Sequence, residues 1–233
     1  MSQLAYAGGE LAVFEKARRW KRYWSRLIRP FVHGDVLEVG AGIGANTLAL
    51  VDLPSRQWVC LEPDPALASR IALPTRRHEL VTGTLADLDP RRRFDTILYL
   101  DVIEHIEDDR GELARAAALL APGGSIIVLA PAHALLYTAF DRAIGHFRRY
   151  SVPGLRGIAP AGLRERRLVY LDSCGALASL GNRFLLRSAM PTERQILAWD
   201  RLLVPCSTWL DALLLHKAGK SVLAVWAAGG ASC

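Results

Sequence analysis

Two histidines in the sequence have side chains suited to moving a proton near neutral pH. His146 lies in a polar and aromatic segment, residues 140–150, and His105 follows a hydrophobic segment that ends at Leu100. An imidazole titrates close to neutral pH, so it can accept the proton of a hydroxyl group whose oxygen attacks an electrophile. We therefore expect catalytic roles for both residues, with His146 as the first choice for the base.

A metal site is an alternative use of the residues around His105. Asp101, Glu104 and His105 would offer two carboxylates and an imidazole, which are sensible ligands for a divalent ion. A hydrogen-bonded turn at the start of a helix is the favoured interpretation of the same residues, because the sequence suggests no fourth ligand. No metal is therefore predicted.

Glycines suited to ligand binding follow the first hydrophobic segment. Gly40, Gly42 and Gly44 stand at alternate positions, where glycine lets the backbone turn tightly and approach a ligand closely. Glu62 comes directly after the next hydrophobic segment. Its two oxygens could accept hydrogen bonds from both hydroxyls of a ribose, so the two segments together predict an adenosine-type site.

Glu38, two residues before Gly40, separates two classes of ligand. Its carboxylate could meet the cationic amino-acid end of a sulfonium ligand, whereas it would repel the pyrophosphate of a dinucleotide. The glycines alone do not decide, because Gly40, Gly42 and Ala45 also satisfy a permissive dinucleotide pattern. A sulfonium amino acid is favoured, and a nicotinamide-dependent dehydrogenase stays open.

A parallel sheet is the element that would position these residues. Short, dense hydrophobic runs alternate with helix-like stretches, which is typical of buried parallel strands in the α/β class. Strands are predicted at residues 35–39, 57–61, 79–82, 94–100, 125–130, 164–171 and 221–226. The predicted fold is a Rossmann-like, doubly wound and mostly parallel seven-stranded sheet, with helices on both faces and a helical insertion before the last strand.

The motifs together resemble class I S-adenosylmethionine-dependent methyltransferases, and more narrowly the small-molecule branch that includes quinone-type O-methyltransferases. The resemblance rests on Glu38–Gly44, Glu62–Asp64, Phe94–Asp95, Asp101–Ile106 and Leu120–Gly124. It implies S-adenosylmethionine as the cofactor. The residues that it implies for cofactor binding are Glu38, Gly40, Gly42, Gly44, Glu62, Pro63, Thr84, Leu85 and Asp101.

Within that set, the resemblance assigns the glycine turn to the methionine part of the cofactor and Glu62 to the ribose. Thr84 and Leu85 would lie beside the adenine. Many relatives have an aspartate at the position of Thr84, so the resemblance does not extend to a side-chain contact with the adenine amine.

The acceptor side carries a second resemblance. Bacterial methyltransferases of glycan or natural-product tailoring often have a similar Gly-His-aromatic-Arg-Arg-Tyr segment after the fifth strand. An anionic or hydroxylated acceptor would then be bound by Tyr137, Arg148, Arg149 and Tyr150. The expected reaction is methylation of an oxygen on a small molecule, a glycan or a lipid-linked acceptor; the alternatives are an RNA methyltransferase and a noncatalytic module that binds the cofactor.

A single domain is expected over residues 1–233. It would comprise an N-terminal lid helix (1–31), a cofactor-binding core (32–131), substrate-side segments with the insertion (132–219), and the last strand with a tail (220–233). Residues 10–29 read as one amphipathic helix, either a lid or an element on an anionic membrane surface. Seven large apolar residues of the insertion have two interpretations: packing inside the protein is favoured, and a lipid-facing patch is the alternative. They are Trp199, Leu202, Leu203, Val204, Trp209, Leu213 and Leu214.

Composition adds only weak constraints on the partner. The net charge is +6, but the arginines are scattered and no nucleic-acid motif accompanies them, so nucleic acid is disfavoured as a partner. The four cysteines lack metal-ligand spacing and are expected to be reduced thiols. Without a recognisable leader or membrane-spanning segment, a cytoplasmic enzyme is the expectation, with peripheral membrane contact left open.

Overall fold

The computed structural model describes residues 9–181 and 192–229, and its centre is a seven-stranded sheet. The strands are β1 Asp35–Val39, β2 Gln57–Glu62, β3 His78–Thr82, β4 Phe94–Leu100, β5 Leu120–Pro131, β6 Leu163–Leu171 and β7 Ser221–Ala228. Their order is β3-β2-β1-β4-β5-β7-β6, and β7 is antiparallel to both of its neighbours. The predicted Rossmann-like, mostly parallel sheet is confirmed.

Helices cover both faces of this sheet. They are α1 Gly9–Phe14, α2 Arg18–Ile28, α3 Ala45–Ala49, α4 Pro65–Ala68, α5 Asp109–Ala118, α6 Ala139–Ala143, α7 Val152–Gly157, α8 Ser173–Gly181, α9 Glu193–Ala198 and α10 Val204–Leu213. A π-helical turn, Trp199–Leu203, joins α9 to α10. One hydrophobic cluster includes residues of α2, α9 and α10, and the other includes residues of α5 and α7. Because both faces are covered, β1 is buried from Val36 to Val39.

The N-terminal segment forms two helices, so the prediction of one continuous helix over residues 10–29 is wrong. Ala17, between α1 and α2, has a non-helical backbone. The carboxylate of Asp200 accepts hydrogen bonds from the backbone N–H groups of Arg19 (3.2 Å) and Trp20 (2.8 Å). An acceptor at this position satisfies N–H groups that have no partner within the helix, so it fixes the start of α2. The apolar side chains of α2 pack against the sheet.

Strand β5 begins earlier than predicted. It starts at Leu120, and the sequence Pro122-Gly123-Gly124 lies inside it as an irregularity in the pairing with β4. A Cβ atom on Gly124 would lie 2.9 Å from the carbonyl oxygen of Ala121 and 3.0 Å from that of Phe94. Glycine is therefore needed where the two strands come this close.

The insertion before β7 is helical, but its inward side is more polar than predicted. Of the three buried residues of α10, Val204 is apolar, whereas Ser207 and Asp211 are polar. Asp211 accepts hydrogen bonds from the Tyr23 hydroxyl and from the N–H groups of Asp172 and Ser173. Trp199 and Val204 pack inside as predicted, whereas the prediction is wrong for the exposed side chains of Leu202, Trp209, Leu213 and Leu214.

Two composition-based expectations can be compared with the described residues. Cys60, Cys174 and Cys206 are free thiols, and Cys233 lies outside the described residues. In the described part of the chain, no helix has the length and apolar character needed to cross a membrane.

Candidate active site

The glycine turn after β1 is held against the end of β2. The N–H groups of Gly40 and Ala41 donate to the carbonyl oxygen of Leu61 at 2.8 and 3.1 Å. Gly40, Gly42 and Gly44 all have left-handed φ angles, between +60° and +78°. A Cβ atom on Gly40 would lie 2.7 Å from Val102. The turn therefore requires glycine for its backbone conformation and for the close approach of the loop after β4.

Glu62 connects the loops that follow β1 and β2. One carboxylate oxygen accepts the N–H of Gly42 at 2.7 Å, and the other accepts the N–H of Asp64 at 3.0 Å. Burial raises the pKa of Glu62, although both hydrogen bonds lower it. Each oxygen has a second acceptor position, so the carboxylate retains the capacity for two ligand hydroxyls. Pro63 follows at the surface.

Glu38 lies beneath the turn and is only 1% exposed. One oxygen accepts hydrogen bonds from the Thr47 hydroxyl at 2.7 Å and from the Trp58 indole N–H at 2.9 Å. Burial raises the pKa of Glu38 to about 7, against the lowering effect of both donors. Glu38 thus supports the turn from inside, and its contact with a ligand stays a prediction.

The loop after β3 places Thr84 and Leu85 at the same edge of the sheet. The N–H of Gly83 donates to the carbonyl oxygen of Glu62 at 3.0 Å, which fixes this loop beside the loop after β2. The N–H and hydroxyl of Thr84 both donate to Asp87, at 2.8 and 3.0 Å. Asp87 thereby caps the 3-10 turn Leu85–Asp87, a role the sequence analysis did not assign.

Asp101 follows β4 and has an unusual backbone. Its φ angle is +59°, and its N–H donates to the carbonyl oxygen of Leu129 at 2.8 Å. A left-handed conformation is unfavourable for a residue with a Cβ atom, and such strain often marks a functional site. The Asp101 residue is exposed to solvent at the carboxyl edge of the sheet.

Lys21, on α2, is a charged residue near this edge that the sequence did not single out. Its ammonium group donates to the carbonyl oxygen of Phe14 at 3.1 Å. Burial lowers the pKa of Lys21, and the carboxylates of Asp101 and Glu15 oppose that effect. An amphipathic pattern could not indicate that this particular lysine turns toward the site.

The two predicted catalytic histidines meet beside Glu104. The rings of His105 and His146 lie edge to face with centroids 4.5 Å apart, and Nε2 of His146 is 3.7 Å from Oε1 of Glu104. We call these three residues the histidine–glutamate cluster. One possible ligand atom from each lies within 4.8 Å of the other two.

Burial of the cluster shifts the pKa values of Glu104 and His105 in opposite directions. Glu104 is 1% exposed. Burial and the negative charge of Asp101 raise the pKa of Glu104 well above its usual range. Burial and the neighbouring His146 lower the pKa of His105 to about 4, so the His105 ring is neutral at pH 7.

Asp141 fixes the orientation of the His146 ring. Its carboxylate lies 3.0 Å from Nδ1 of His146 and accepts hydrogen bonds from the guanidinium of Arg149 at 2.7 and 3.1 Å. Although burial alone raises the pKa of Asp141, His146 and Arg149 hold it below its usual range. Because Nδ1 of His146 faces Asp141, Nε2 lies on the side of the ring toward Glu104. Asp141 was visible within residues 140–150, but the sequence did not assign its role.

The residues predicted to bind the acceptor make polar contacts within the protein. Arg148 pairs with Asp109 at 2.6 Å, and the buried Tyr150 hydroxyl donates to the same carboxylate at 2.8 Å. The Tyr137 hydroxyl donates to the backbone carbonyl of His146 at 2.7 Å. Contacts of these residues and of Arg149 with an acceptor stay predictions.

Comparison with known proteins identifies the family. The model of a family described as a methyltransferase domain matches residues 13–168, which is more than half of the chain. The chain is a class I methyltransferase. Membership of this family supports S-adenosylmethionine as the cofactor.

Relatives of the methyltransferase include enzymes of quinone biosynthesis. A ubiquinone biosynthesis O-methyltransferase of Rhodopseudomonas palustris is 31% identical over 97 residues, which cover 40% of this chain and 38% of that protein. In this and the other ubiquinone enzymes found, the match spans 38% or less of the relative.

Solved structures share the fold at low identity. A methyltransferase of Haloferax volcanii, in complex with the Trm112 methyltransferase activator, has a TM-score of 0.64 at 19% identity, with 96% of each chain covered. The N-methyltransferase NodS of Bradyrhizobium japonicum, in complex with S-adenosylhomocysteine, has a TM-score of 0.58 at 16% identity, covering 92% of this chain and 87% of NodS.

The buried Glu38 makes stability depend on pH. Its carboxyl group ionises near pH 4.5 in the unfolded chain but near pH 7 in the folded protein. The unfolded state therefore loses its proton first, and stability falls as pH rises between these values. Glu38→Gln keeps an acceptor for Thr47 and Trp58 and removes the ionisation. As the pH rises from 5 to 8, we expect the free energy of unfolding of the variant, relative to that of wild type, to increase by an amount on the order of 3 kcal/mol.

Chemical denaturation of the cofactor-free proteins at both pH values measures this difference. Glu79→Gln is the matched control, because its partner Arg92 lowers the pKa of Glu79. The pH dependence of that pair lies mostly below pH 5, so the stability difference between the control and wild type should be nearly the same at pH 5 and pH 8. A stability difference between Glu38→Gln and wild type that is the same at pH 5 and pH 8 would contradict the prediction.

Proposed function

We propose that the methyltransferase transfers a methyl group from S-adenosylmethionine to a hydroxyl oxygen of a small acceptor, and that the acceptor is lipid-linked. The observation that carries the proposal is the position of His146. This histidine is oriented by Asp141 and lies beside Glu104, which follows the same strand, β4, as Asp101. The names of the ubiquinone relatives support oxygen as the acceptor atom, whereas the name of NodS keeps nitrogen as the alternative.

The residues at the carboxyl edge fit the chemical groups of the cofactor. The glycine turn offers backbone close to a ligand, and Glu62 retains one acceptor position on each oxygen for the ribose hydroxyls. We assign Thr84 and Leu85 to the adenine side, and Asp101 to the amino-acid end. When bound, S-adenosylmethionine supplies a methyl group that is already activated toward a nucleophile.

The protein then has to orient the acceptor and remove its proton. Nδ1 of His146 is used by Asp141, so Nε2 is the position that takes the hydroxyl proton as the oxygen–methyl bond forms and the sulfur–methyl bond breaks. The resulting imidazolium is stabilised by the Asp141 carboxylate, as in other histidine–carboxylate pairs. His105, which is neutral at pH 7, is the second candidate for the same task.

The insertion supports a lipid-linked acceptor. Helix α10 buries polar residues and exposes Trp209 and Leu213, with exposed fractions of 83% and 79%. Large apolar side chains on a surface often mark a site of interaction with a membrane or another partner. The exposed cations Arg201 and Lys217 lie close to them in sequence, which suits an anionic lipid surface.

An apolar cavity lies next to this surface. Its volume is about 330 Å³, and it contains no residue of the loops after β1, β2 or β4, so it is separate from the proposed cofactor site. The segment 133–136 that lines it leads directly to Tyr137, whose hydroxyl contacts the backbone of His146. We assign this cavity to the hydrocarbon tail of the acceptor. Its apolar lining includes Leu135, Leu136, Ala176, Leu177, Leu180, Leu210, Leu214 and Ala218.

Calorimetry of cofactor binding tests the assignment of Glu62. We expect wild type to bind S-adenosylmethionine and S-adenosylhomocysteine, but not NAD. Hydrogen bonds to a charged group contribute about 1.5–3 kcal/mol, so Glu62→Ala should weaken binding roughly 10- to 100-fold. Glu79→Ala, on β3, is the matched control and should bind normally. Tight NAD binding, or unchanged affinity in Glu62→Ala, would refute the assignment.

Replacement of His146 tests the proton transfer. Loss of a general base lowers turnover by roughly 10²- to 10⁴-fold, so His146→Ala should show this loss on any hydroxylated acceptor that wild type methylates. Its affinity for S-adenosylhomocysteine should be unchanged. His33→Gln, near the amino end of β4 beside Thr96, is the control. An unchanged kcat in His146→Ala would remove His146 from the reaction.

Vesicle flotation tests the lipid surface. We expect wild type to bind phosphatidylcholine vesicles that contain phosphatidylglycerol. The double variant Trp209→Ser/Leu213→Ser should lose roughly 10-fold or more in affinity, because two large apolar side chains no longer enter the lipid. Leu48→Ser/Leu73→Ser removes two exposed leucines outside the insertion and should bind normally. Equal binding by both double variants would disprove the lipid surface.

A further inference from the structure

Glu104 is a buried carboxylate that lacks a compensating partner. No other residue that the structure describes donates a hydrogen bond to either of its oxygens. The nearest polar atom on the imidazole of His146 is 3.7 Å away, which is too long for a hydrogen bond. Burial of a carboxylate without a hydrogen-bond donor or a cation is costly, so such a group usually has a ligand, a proton or a function.

The arginine side chains of this region form ion pairs with other carboxylates. The guanidinium of Arg149 makes two hydrogen bonds with Asp141, and Arg148 pairs with Asp109. The Asp101 carboxylate adds a further negative charge to the surroundings of Glu104. The histidine–glutamate cluster is therefore a place where a bound cation would relieve an electrostatic cost.

Each of the two histidines makes a hydrogen bond to another protein group, as metal-binding histidines usually do through the ring nitrogen that does not bind the metal. Nδ1 of His146 is paired with the Asp141 carboxylate at 3.0 Å, and His105 hydrogen-bonds to the backbone of Gly145. Metal-binding histidines commonly donate their second ring nitrogen to a carboxylate or a backbone carbonyl, which fixes the tautomer and the ring orientation. In His146 this arrangement leaves Nε2 directed at Glu104.

We propose that Glu104, His105 and His146 bind a divalent transition-metal ion of the Zn²⁺ class. Two imidazoles and one carboxylate favour such an ion over Mg²⁺, which prefers oxygen ligands. In a tetrahedral site with metal–ligand distances of about 2 Å, neighbouring ligand atoms lie roughly 3.3 Å apart. The three ligand atoms lie within 4.8 Å of one another, so side-chain movements of about 1 Å would close the site.

The ion would change the chemistry at the acceptor side. An ion held by three protein ligands would keep a further coordination position for the acceptor hydroxyl, and a metal ion lowers the pKa of an oxygen that it binds. With the ion present, Nε2 of His146 would serve as a ligand, and the hydroxyl, with its lowered pKa, would release its proton to water before the oxygen attacks the methyl group. This inference rests on the proposed methyl transfer to a hydroxyl oxygen but replaces the role of His146 as the base, and it departs from the sequence-based expectation that no metal is bound.

Ion binding can be measured without any acceptor. Metal-depleted wild type is titrated with Zn²⁺, Mn²⁺ and Mg²⁺ by calorimetry, and bound zinc is quantified after gel filtration. We expect one Zn²⁺ per chain, affinity in the order Zn²⁺, Mn²⁺, Mg²⁺, and a higher Tm with Zn²⁺. Co²⁺ should give visible absorption bands characteristic of coordination by nitrogen.

Glu104→Gln and His105→Asn should lose saturable Zn²⁺ binding. Without metal, Glu104→Gln should melt at the wild-type temperature or above it, because an amide buries no charge. Asp141→Asn should bind Zn²⁺ roughly 10- to 100-fold more weakly, as expected for an outer partner of a ligand. His33→Gln removes an imidazole outside the cluster and should bind as wild type does.

Two outcomes would overturn the site: no Zn²⁺ binding by wild type, or wild-type affinity in both Glu104→Gln and His105→Asn. Calorimetry with S-adenosylhomocysteine on the same samples separates this failure from a failure of the proposed function. In a sample with a cooperative melting transition, cofactor binding without zinc binding would exclude the metal site alone, whereas loss of both would exclude the metal site and the proposed cofactor together.

Discussion

The backbone pairing at the carboxyl ends of the central strands is the constraint on which the site depends. The N–H of Gly40 bonds to Leu61, that of Gly83 to Glu62, and that of Asp101 to Leu129, so the loops after β1, β3 and β4 each continue the pairing just beyond their strand. Parallel strands place such ends at one edge of a sheet. Residues far apart in the sequence are thereby held within reach of one ligand.

Buried carboxylates within this frame have different partners and therefore different properties. Asp141 accepts from His146 and Arg149, and these donors keep it ionised. Glu38 accepts from neutral groups only, so burial dominates its pKa. Glu104 has no donor from another described residue. Asp141 is thus a charged group that orients His146, whereas Glu104 is a buried carboxylate whose desolvation cost a ligand could offset.

The sequence was informative wherever a local pattern determines the outcome. The hydrophobic runs located all seven strands, and the largest differences are at the beginning of β5 and at the end of β7. The glycines at 40, 42 and 44 indicated the turn after β1. The sequence could not show that Asp200 starts α2, because that contact joins distant segments. It also could not show that His146 lies beside Glu104, since only the folded sheet brings them together. The outward-facing Trp209 was misjudged because hydrophobicity alone suggests burial.

The order of the strands also affects how the chain can fold as it leaves the ribosome. Strand β7, last in the sequence, lies between β5 and β6, so β6 has no neighbour in the sheet until β7 has been made. The start of α2 likewise waits for Asp200, and Trp20 of α2 packs against Trp199. During synthesis the apolar side of α2 therefore lacks its final partners until most of the protein exists. The two tryptophans of α2 are thus buried only after the segment with Trp199 and Asp200 has been made.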